Sequence, residues 1–285
     1  AETNPDVVHL NSYVHAALPW CAPVLVVGHS CVYSWFRAVK GNSPPPEWEN
    51  YHRLVKHGLK SACRVTAPTR TMLENLRRHY GRFSVHHPIY NSRGWVDFKP
   101  AVDKKHLIFC AGRLWDEAKN AALLEKAAPA LSWPVVMAGE CSHPAGINKK
   151  LTGVHYLGVL NQTEMAHWMG KSSIFALPAR YEPFGLCALE AALAGCVLVL
   201  GDIPSLREVW ADSALFVPPD DSTCLTQVLN DLITRSDLRR EYARRARKRA
   251  LMFTPAKMVG EYLSLYEEML SPVSLNAKKL NLIYN

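Results

Sequence analysis

Long apolar runs are missing from this sequence. None of its 285 residues falls in a run approaching the roughly 20 continuous apolar positions that a membrane helix needs. The longest, PVLVVGHSCV and GCVLVLG, have strand length and β-branched character instead. Paired cysteines are missing too. Cys21, Cys31, Cys63, Cys110, Cys141, Cys187, Cys196 and Cys224 are scattered, with no CxxC spacing. That excludes a local metal knuckle or redox pair, and a chain of this size needs no disulfide staples. The cysteines read as small hydrophobes of a reduced, cytoplasmic protein. Internal repeats and low-complexity segments are absent, which excludes a solenoid or a disordered chain. The opening AETNPDVVHL has neither the positive end nor the apolar core of a secretory signal. It also has no initiator methionine, so the expectation is a processed, trimmed or partial chain.

Acidic residues are the scarcer charge: 25 Asp and Glu against 33 Lys and Arg, a formal net charge of +8. Such a balance fits a polyanionic partner, an acidic membrane surface or a phosphorylated ligand. The richest patch is RSDLRREYARRARKRA, Arg235 to Ala250. Its Leu238, Tyr242, Ala246 and Ala250 recur at helical spacing, with Arg between them. No aromatic interleaving or groove-reading motif accompanies it, so no nucleic-acid partner is expected and the run reads as a solvated helix face.

What is present is alternation. Short apolar strands, DVVHL, PVLVVG, RVTAP, SVHH, HLIFCAG, PVVMAG, VHYLG, SIFALP, CVLVLG and ALFVP, are spaced by amphipathic segments. Helices are predicted over 47–62, 69–80, 119–130, 163–171, 186–194, 204–210, 222–235, 237–252 and 256–270. This is the pattern of parallel sheets with helical crossovers. Periodicity lapses in HHPIYNSRGWVDFKPAVDKKH, which places a boundary there. The expected organisation is a smaller first domain over 1–100, a second over 101–255, and a last helix with tail, 256–285, returning to the first.

Ligands of such sheets bind beyond the carboxyl ends of the strands. There the sequence places RLWDEAKN, ARYEPFG, a His-Ser pair and a lone Glu. Arg113 and Lys119 flank a strand-to-helix turn. Cations at a helix N-terminus are poorly placed for the helix dipole unless they hold an anion. In PARYEPFGLCALEAALAGC, residues 178–196, Glu182 and Glu190 bracket a run that is otherwise apolar and small. Gly185 permits close backbone approach and opens a helix whose free amides face outward. Spacing alone is compatible with two solvated helix charges. With the amides between them, the two carboxylates suit a ligand carrying a diol at each end and a diphosphate in the middle. Each charge-assisted bond to a diol contributes about 1.5–3 kcal/mol.

The strings LIFCAGRLWDEAKN, VHYLGVL, FALPARYEPFGLCALEAALAGCVLVLGDIPSLREVW and ALFVPPDD resemble retaining glycosyltransferases of family 4. The resemblance extends over about residues 6–270. It implies an α/β GT-B fold: two Rossmann-like parallel-sheet domains facing a cleft. It implies hexosyl transfer from a nucleotide diphosphate sugar to a glycan, lipid or small-molecule acceptor, with retention of configuration. In that reading Glu190 binds the ribose and Glu182 the donor sugar. The backbone of Phe184, Gly185 and Leu186, with Gly112, approaches sugar hydroxyls and phosphate. Arg113 and Lys119 neutralise the departing diphosphate, and His29 reaches the donor sugar from the first domain. No Asp-x-Asp pair is present, in keeping with chemistry that needs neither metal nor cofactor.

One departure is that the glycine-rich loop and early strands of such enzymes have no counterpart here, so the first domain is expected to be incomplete. Arg53, Lys56, Lys60 and Arg64, on the helices of the first domain, read first as a solvated face and second as a peripheral contact to anionic lipid at the inner membrane face. Two rival functions follow from the same sequence: a nucleotide-sugar-binding fragment without turnover, and a GT-B nucleotide-sugar epimerase.

Overall fold

The computed structural model describes residues 3–143, 146 and 151–271; the tail from residue 272 lies outside them. Contacts divide the chain into two compact units: residues 1–91 with the segment beginning at Pro255, and Ser92–Thr254. The division therefore falls some nine residues before the boundary read from the sequence. The reason is local: within 92–101 the backbone is already tied to the second unit, through Arg93 N–H to Phe253 O at 3.3 Å and Ala101 N–H to Gly170 O at 3.1 Å.

In the first unit, β1 (Val8–Leu10), β2 (Val24–Val27) and β3 (Arg64–Thr66) form a parallel sheet in the order β1-β2-β3. The expected strand at SVHH is reduced to a single parallel bridge, Val65 to Val85. β2 shows why the sheet is covered on both faces. Val24 and Val26 enter one core with Val55, Leu59, Met72 and Leu76. Leu25 and Val27 enter another with Ile89, Leu265 and Met269. Alternate residues of a strand point to opposite faces, so four consecutive apolar residues serve two layers. The first layer holds α1 (Val32–Lys40), α2 (Glu49–Ser61) and α3 (Arg70–Tyr80).

Helix α1 was not expected from sequence. Its VYSWFRAVK is rich in aromatic and β-branched residues of modest helix propensity. It is capped by the Cys31 thiol, which accepts from Ser34 N–H at 3.4 Å, and stops at Gly41 in the left-handed region. Arg64, grouped above with helix cations, opens β3 and pairs with Glu268 at 2.9 Å. Arg53 is held by Asn50 at 2.9 Å. Lys56 and Lys60 stay exposed on α2.

The second unit carries a six-stranded, wholly parallel sheet. Its members are β4 (Lys105–Ala111), β5 (Val135–Ala138), β6 (His155–Tyr156), β7 (Ser172–Leu177), β8 (Val197–Gly201) and β9 (Leu215–Val217). They run in the order β6-β5-β4-β7-β8-β9. The order reverses direction between β4 and β7, the position where doubly wound sheets bind ligands beyond the strand ends. The helices are α4 (Ala121–Ala127), α5 (Gln162–Lys171), α6 (Leu186–Leu193), α7 (Pro204–Trp210), α8 (Ser222–Thr234) and α9 (Ser236–Ala250). α10 (Pro255–Leu270) belongs to the first unit, where Leu265 and Met269 pack on its sheet. Side-chain caps mark several helix starts: Thr69 for α3, Asn161 with Glu164 in a reciprocal capping box for α5, and Asp221 for α8.

The basic run of α9 is not simply a solvated face. Arg239 donates to the carbonyls of Leu232 and Ile233 at the end of α8. Arg247 donates to Leu193 O at the end of α6 at 3.2 Å. Arg249 donates to Val209 O at the end of α7 at 2.8 Å. Each arginine thus meets carbonyls that a helix end leaves unpaired, where the dipole also favours a cation. Arg240, Arg244 and Lys248 are the ones left to solvent. Among the described residues no helix is long and apolar enough to cross a membrane, and none of the eight cysteines is in a disulfide.

Candidate functional site

The site forms at the carboxyl ends of β4 and β7. After β4 the chain turns at Gly112 (φ 153°) into Arg113, and the turn is braced by Asp116. The Asp116 carboxylate accepts from Arg113 at 3.0 Å and from Ala118 N–H at 3.0 Å. Gly112 and Gly139 are in backbone contact: a Cβ on Gly139 would lie 1.8 Å from Gly112 O. Arg113 is 60% exposed in its side chain and its guanidinium carbon lies 5.7 Å from the Trp115 ring centre, so it is a surface cation beside the turn.

Asn120 ends the turn in the left-handed region, φ 57° and ψ 37°, and is buried. Its amide donates to Pro178 O at 2.9 Å and to Pro219 O at 2.6 Å, while its oxygen accepts from Arg180 at 2.8 Å. Arg180 also pairs with Asp220 at 2.7 Å. One side chain thereby binds together the loops after β4, β7 and β9. Lys119, its neighbour, is carried by this brace.

Lys119 Nζ donates to Glu182 Oε2 at 2.5 Å, with both side chains about 15% exposed or less. The other oxygen, Oε1, accepts from Gly185 N–H at 3.0 Å and lies 3.5 Å from Phe184 N. Gly185 stands at φ 91° as the N-cap of α6, a conformation that glycine adopts without strain. Glu182 therefore caps α6 from the preceding loop, and its own carbonyl accepts from Ser205 at 2.6 Å. Leu186 is the first helical residue.

Glu190 is the fifth residue of α6 and only 5% exposed. Its Oε1 accepts from Arg93 Nε at 2.6 Å. Burial pushes the Glu190 carboxyl up, and the Arg93 charge and hydrogen bond oppose that. Cys187, one turn earlier, is pushed up to about 12 by burial first and then by Glu190 and Glu182. Neither glutamate is the solvated helix charge that spacing alone allows.

The structure thus brings Gly112, Arg113, Lys119, Glu182, Phe184, Gly185, Leu186 and Glu190 to one end of one sheet. His29 belongs to the first unit. It follows β2, and its Nε2 lies 2.9 Å from Asn11 Oδ1. Burial holds its pKa below the ordinary value, so the ring is neutral at pH 7. Sequence reasoning missed Arg93, Asp116, Asn120 and Arg180. Arg93 was hidden in the segment assigned to the domain boundary. Arg180 stood in the quoted string but had no visible partner. Among the described residues no three His, Cys, Asp or Glu side chains converge in a way that could hold a metal ion.

This arrangement can hold a ligand that is anionic in the middle and rich in hydroxyls at its ends. An ammonium and helix-start amides lie beside one carboxylate, with a second carboxylate further along the helix. Residues 95–249 match the family model of Glycosyl transferases group 1, and residues 1–92 that of Glycosyltransferase Family 4. The D-inositol 3-phosphate glycosyltransferase of Jonesia denitrificans is 28% identical over 168 residues, 54% of this chain and 40% of that protein. The chain therefore spans less than half the length of this relative. Sucrose-phosphate synthase from Thermosynechococcus elongatus superposes with a TM-score of 0.81 at 18% identity, over 93% of this chain and 73% of the other. Anabaena Alr3699/HepE, solved in complex with UDP-glucose, superposes with a TM-score of 0.74 at 17% identity, over 91% and 78%. The fold is that of the GT-B glycosyltransferases.

Proposed function

The chain belongs to the glycosyl transferases group 1 family, and from that premise we propose that it binds a nucleotide diphosphate sugar and transfers its hexosyl group to a glycan, lipid or small-molecule acceptor. The observation that carries this reading is the convergence of Lys119, Glu182 and the Gly185 amide at the start of α6, with Glu190 buried further along the same helix.

The roles follow from charge. Breaking the bond from the anomeric carbon to the phosphate oxygen builds positive charge on the sugar and negative charge on the diphosphate. Lys119 and the amides at the start of α6 would meet the phosphate, with Arg113 at the rim. A preorganised donor aimed at developing charge contributes about 2.7–4 kcal/mol. The Glu182 carboxylate holds these donors. Binding would exchange that carboxylate for phosphate and free Glu182 for the sugar hydroxyls. Glu190 would accept from the ribose diol. His29, neutral and hydrogen-bonded to Asn11, is the histidine proposed for the donor sugar. We read the chemistry as retaining, with the phosphate charge met by these side chains and amides rather than by a metal, and the location as cytoplasmic. The exposed Lys56 and Lys60 of α2 are the groups available for peripheral contact with an anionic membrane.

A second reading is donor binding without transfer. Melting of the intact chain with UDP, GDP and ADP tests both, beside Lys119→Ala and Glu190→Ala. A ligand at 100 times its Kd stabilises by about 2.7 kcal/mol. One diphosphate should raise the melting temperature, and both variants should lose the rise. No response to any of the three refutes the donor site. A response to one diphosphate, with no release of sugar from the matching nucleotide sugar to water or acceptor, favours the second reading.

A further inference from the structure

Arg93 has no part in the roles assigned above, yet it makes the one hydrogen bond that the Glu190 carboxylate accepts among the described residues, Nε to Oε1 at 2.6 Å. The arginine is anchored on its own side. Its backbone N–H donates to Phe253 O, and its guanidinium carbon lies 5.9 Å from the Phe98 ring centre. Phe253 in turn packs edge-on against Phe184, at 5.6 Å, in the loop between the two glutamates. The linker leading into the second unit is therefore fastened to the site at both ends of this contact.

Glu190 occupies a rigid position in mid-helix, its side chain 7% exposed. An isolated carboxylate so buried takes up a proton rather than stay charged. Protonated, it would turn one acceptor oxygen into a donor and could no longer accept two hydrogen bonds from adjacent hydroxyls. Arg93 opposes this, and does so through one oxygen only. Oε2 is left without a hydrogen bond among the described residues.

We propose that Arg93 is a positioning residue for nucleoside recognition: it orients Glu190 and favours its carboxylate form, so that the free oxygen is presented to the vicinal diol of a ribose. The assignment rests on the functional reading above. It goes beyond it by giving a role to a residue in no motif of the site.

Among the described residues no other charge around Glu190 does this work. On its own helix, Cys187 stays a neutral thiol. In the preceding loop, Lys119 and Glu182 satisfy each other. From α9, Arg247 is directed to Leu193 O. On α5, Glu164 closes the cap of its own helix, Lys171 lies over the Trp168 ring, and His167 is exposed. β7 and β8 carry no ionisable residue.

The test is calorimetric titration of the intact chain with UDP, GDP and ADP between pH 5 and 8. The diphosphate that binds is then compared with its 2′,3′-dideoxy counterpart. Affinity for the ribonucleotide should fall as pH drops through the Glu190 pKa. Arg93→Ala removes the charge that lowers this pKa, so the midpoint should move to higher pH. Ribonucleotide affinity at pH 7 should fall by about tenfold or more, on the scale of one charge-assisted hydrogen bond. Affinity for the dideoxy nucleotide should barely change, and Arg93→Lys should restore most of the midpoint. Equal losses for both nucleotides with an unmoved midpoint would mean that Arg93 only braces the linker, and would overturn the assignment. Unaltered binding by Arg93→Ala would overturn it as well. If the unaltered chain binds none of the three diphosphates, the functional reading fails and takes this assignment with it.

Discussion

Replacing Asn120 separates the energetics of the brace into measurable parts. The side chain makes two hydrogen bonds to carbonyls, Pro178 O and Pro219 O, and accepts one from the Arg180 guanidinium. Its backbone stands in the left-handed region at φ 57°. Asn120→Ala removes all three bonds and keeps a Cβ in that region. Two neutral bonds contribute about 1 kcal/mol each, a bond to a charged group about 1.5–3 kcal/mol, and burying an unpaired carbonyl adds to the loss. An alanine held at positive φ costs about 1 kcal/mol more than asparagine, which tolerates the region better. These terms are not additive, and a net loss of about 3–5 kcal/mol is expected. For a unit of this size that is a fall in Tm of about 6–20 °C. Asn120→Gly loses the same bonds without the backbone strain, and should recover about 1 kcal/mol relative to alanine. Asn120→Asp keeps the acceptor for Arg180 but turns a carboxylate oxygen toward two carbonyls. It should be no better than alanine. Urea denaturation followed by fluorescence, with coincident circular dichroism, reads all three. An alanine variant within about 0.5 kcal/mol of the unaltered chain, the range of an ordinary surface substitution, would refute the bracing role.

Glu182→Gln removes the negative charge that occupies Lys119 and the α6 amides. It should bind the free nucleoside diphosphate more tightly while losing sugar transfer, read by titration and by product formation; weaker diphosphate binding would contradict the exchange of carboxylate for phosphate. Arg249→Ala uncaps the end of α7 and should destabilise by about 1.5–3 kcal/mol, whereas its exposed neighbour Lys248→Ala should stay within about 0.5 kcal/mol, both by urea denaturation. His9, His29, His79 and His86 all have pKa values lowered, chiefly by burial. The unfolded chain therefore binds more protons below its ordinary histidine pKa near 6.5. Stability should be full above that pH and fall as pH drops toward the lowered folded values, seen as a lower Tm at pH 5.5 than at pH 7.5. A flat profile between them would contradict the burial of these rings.

Much of the second unit could be read in advance because its strands are buried on both faces. IFAL of β7 and VLVLG of β8 are continuous apolar runs, and the segment between them is helical in period. Glu182, Gly185 and Glu190 were legible for a related reason: they lie within nine residues of one another, so their relation survives in the linear order. SVHH failed as a strand because apolar, β-branched character is not enough without a partner, and only Val85 finds one. Helix α1 failed because Val32, Tyr33, Trp35 and Phe36 argue locally for a strand, and packing overrides them.

The residues that hold the site were hidden by distance. Arg93 meets Glu190 across 97 positions, and Asn120 reaches carbonyls 58 and 99 positions away. The basic run of α9 was misread for a deeper reason. A carboxylate partner leaves a letter in the sequence, and a search for ion pairs along α9 finds Glu241 for Arg245. A backbone carbonyl leaves none, because every residue has one. Only the helix ends make particular carbonyls needy, and which ends face α9 is decided by the sheet order that stacks α6, α7 and α8 around it. A cation-rich helix in a doubly wound domain therefore has two readings from sequence, a face for solvent or a set of caps for its neighbours. The fraction of its arginines that reach carbonyls decides between them, and here Arg239, Arg247 and Arg249 place the structural role beside the solvated one.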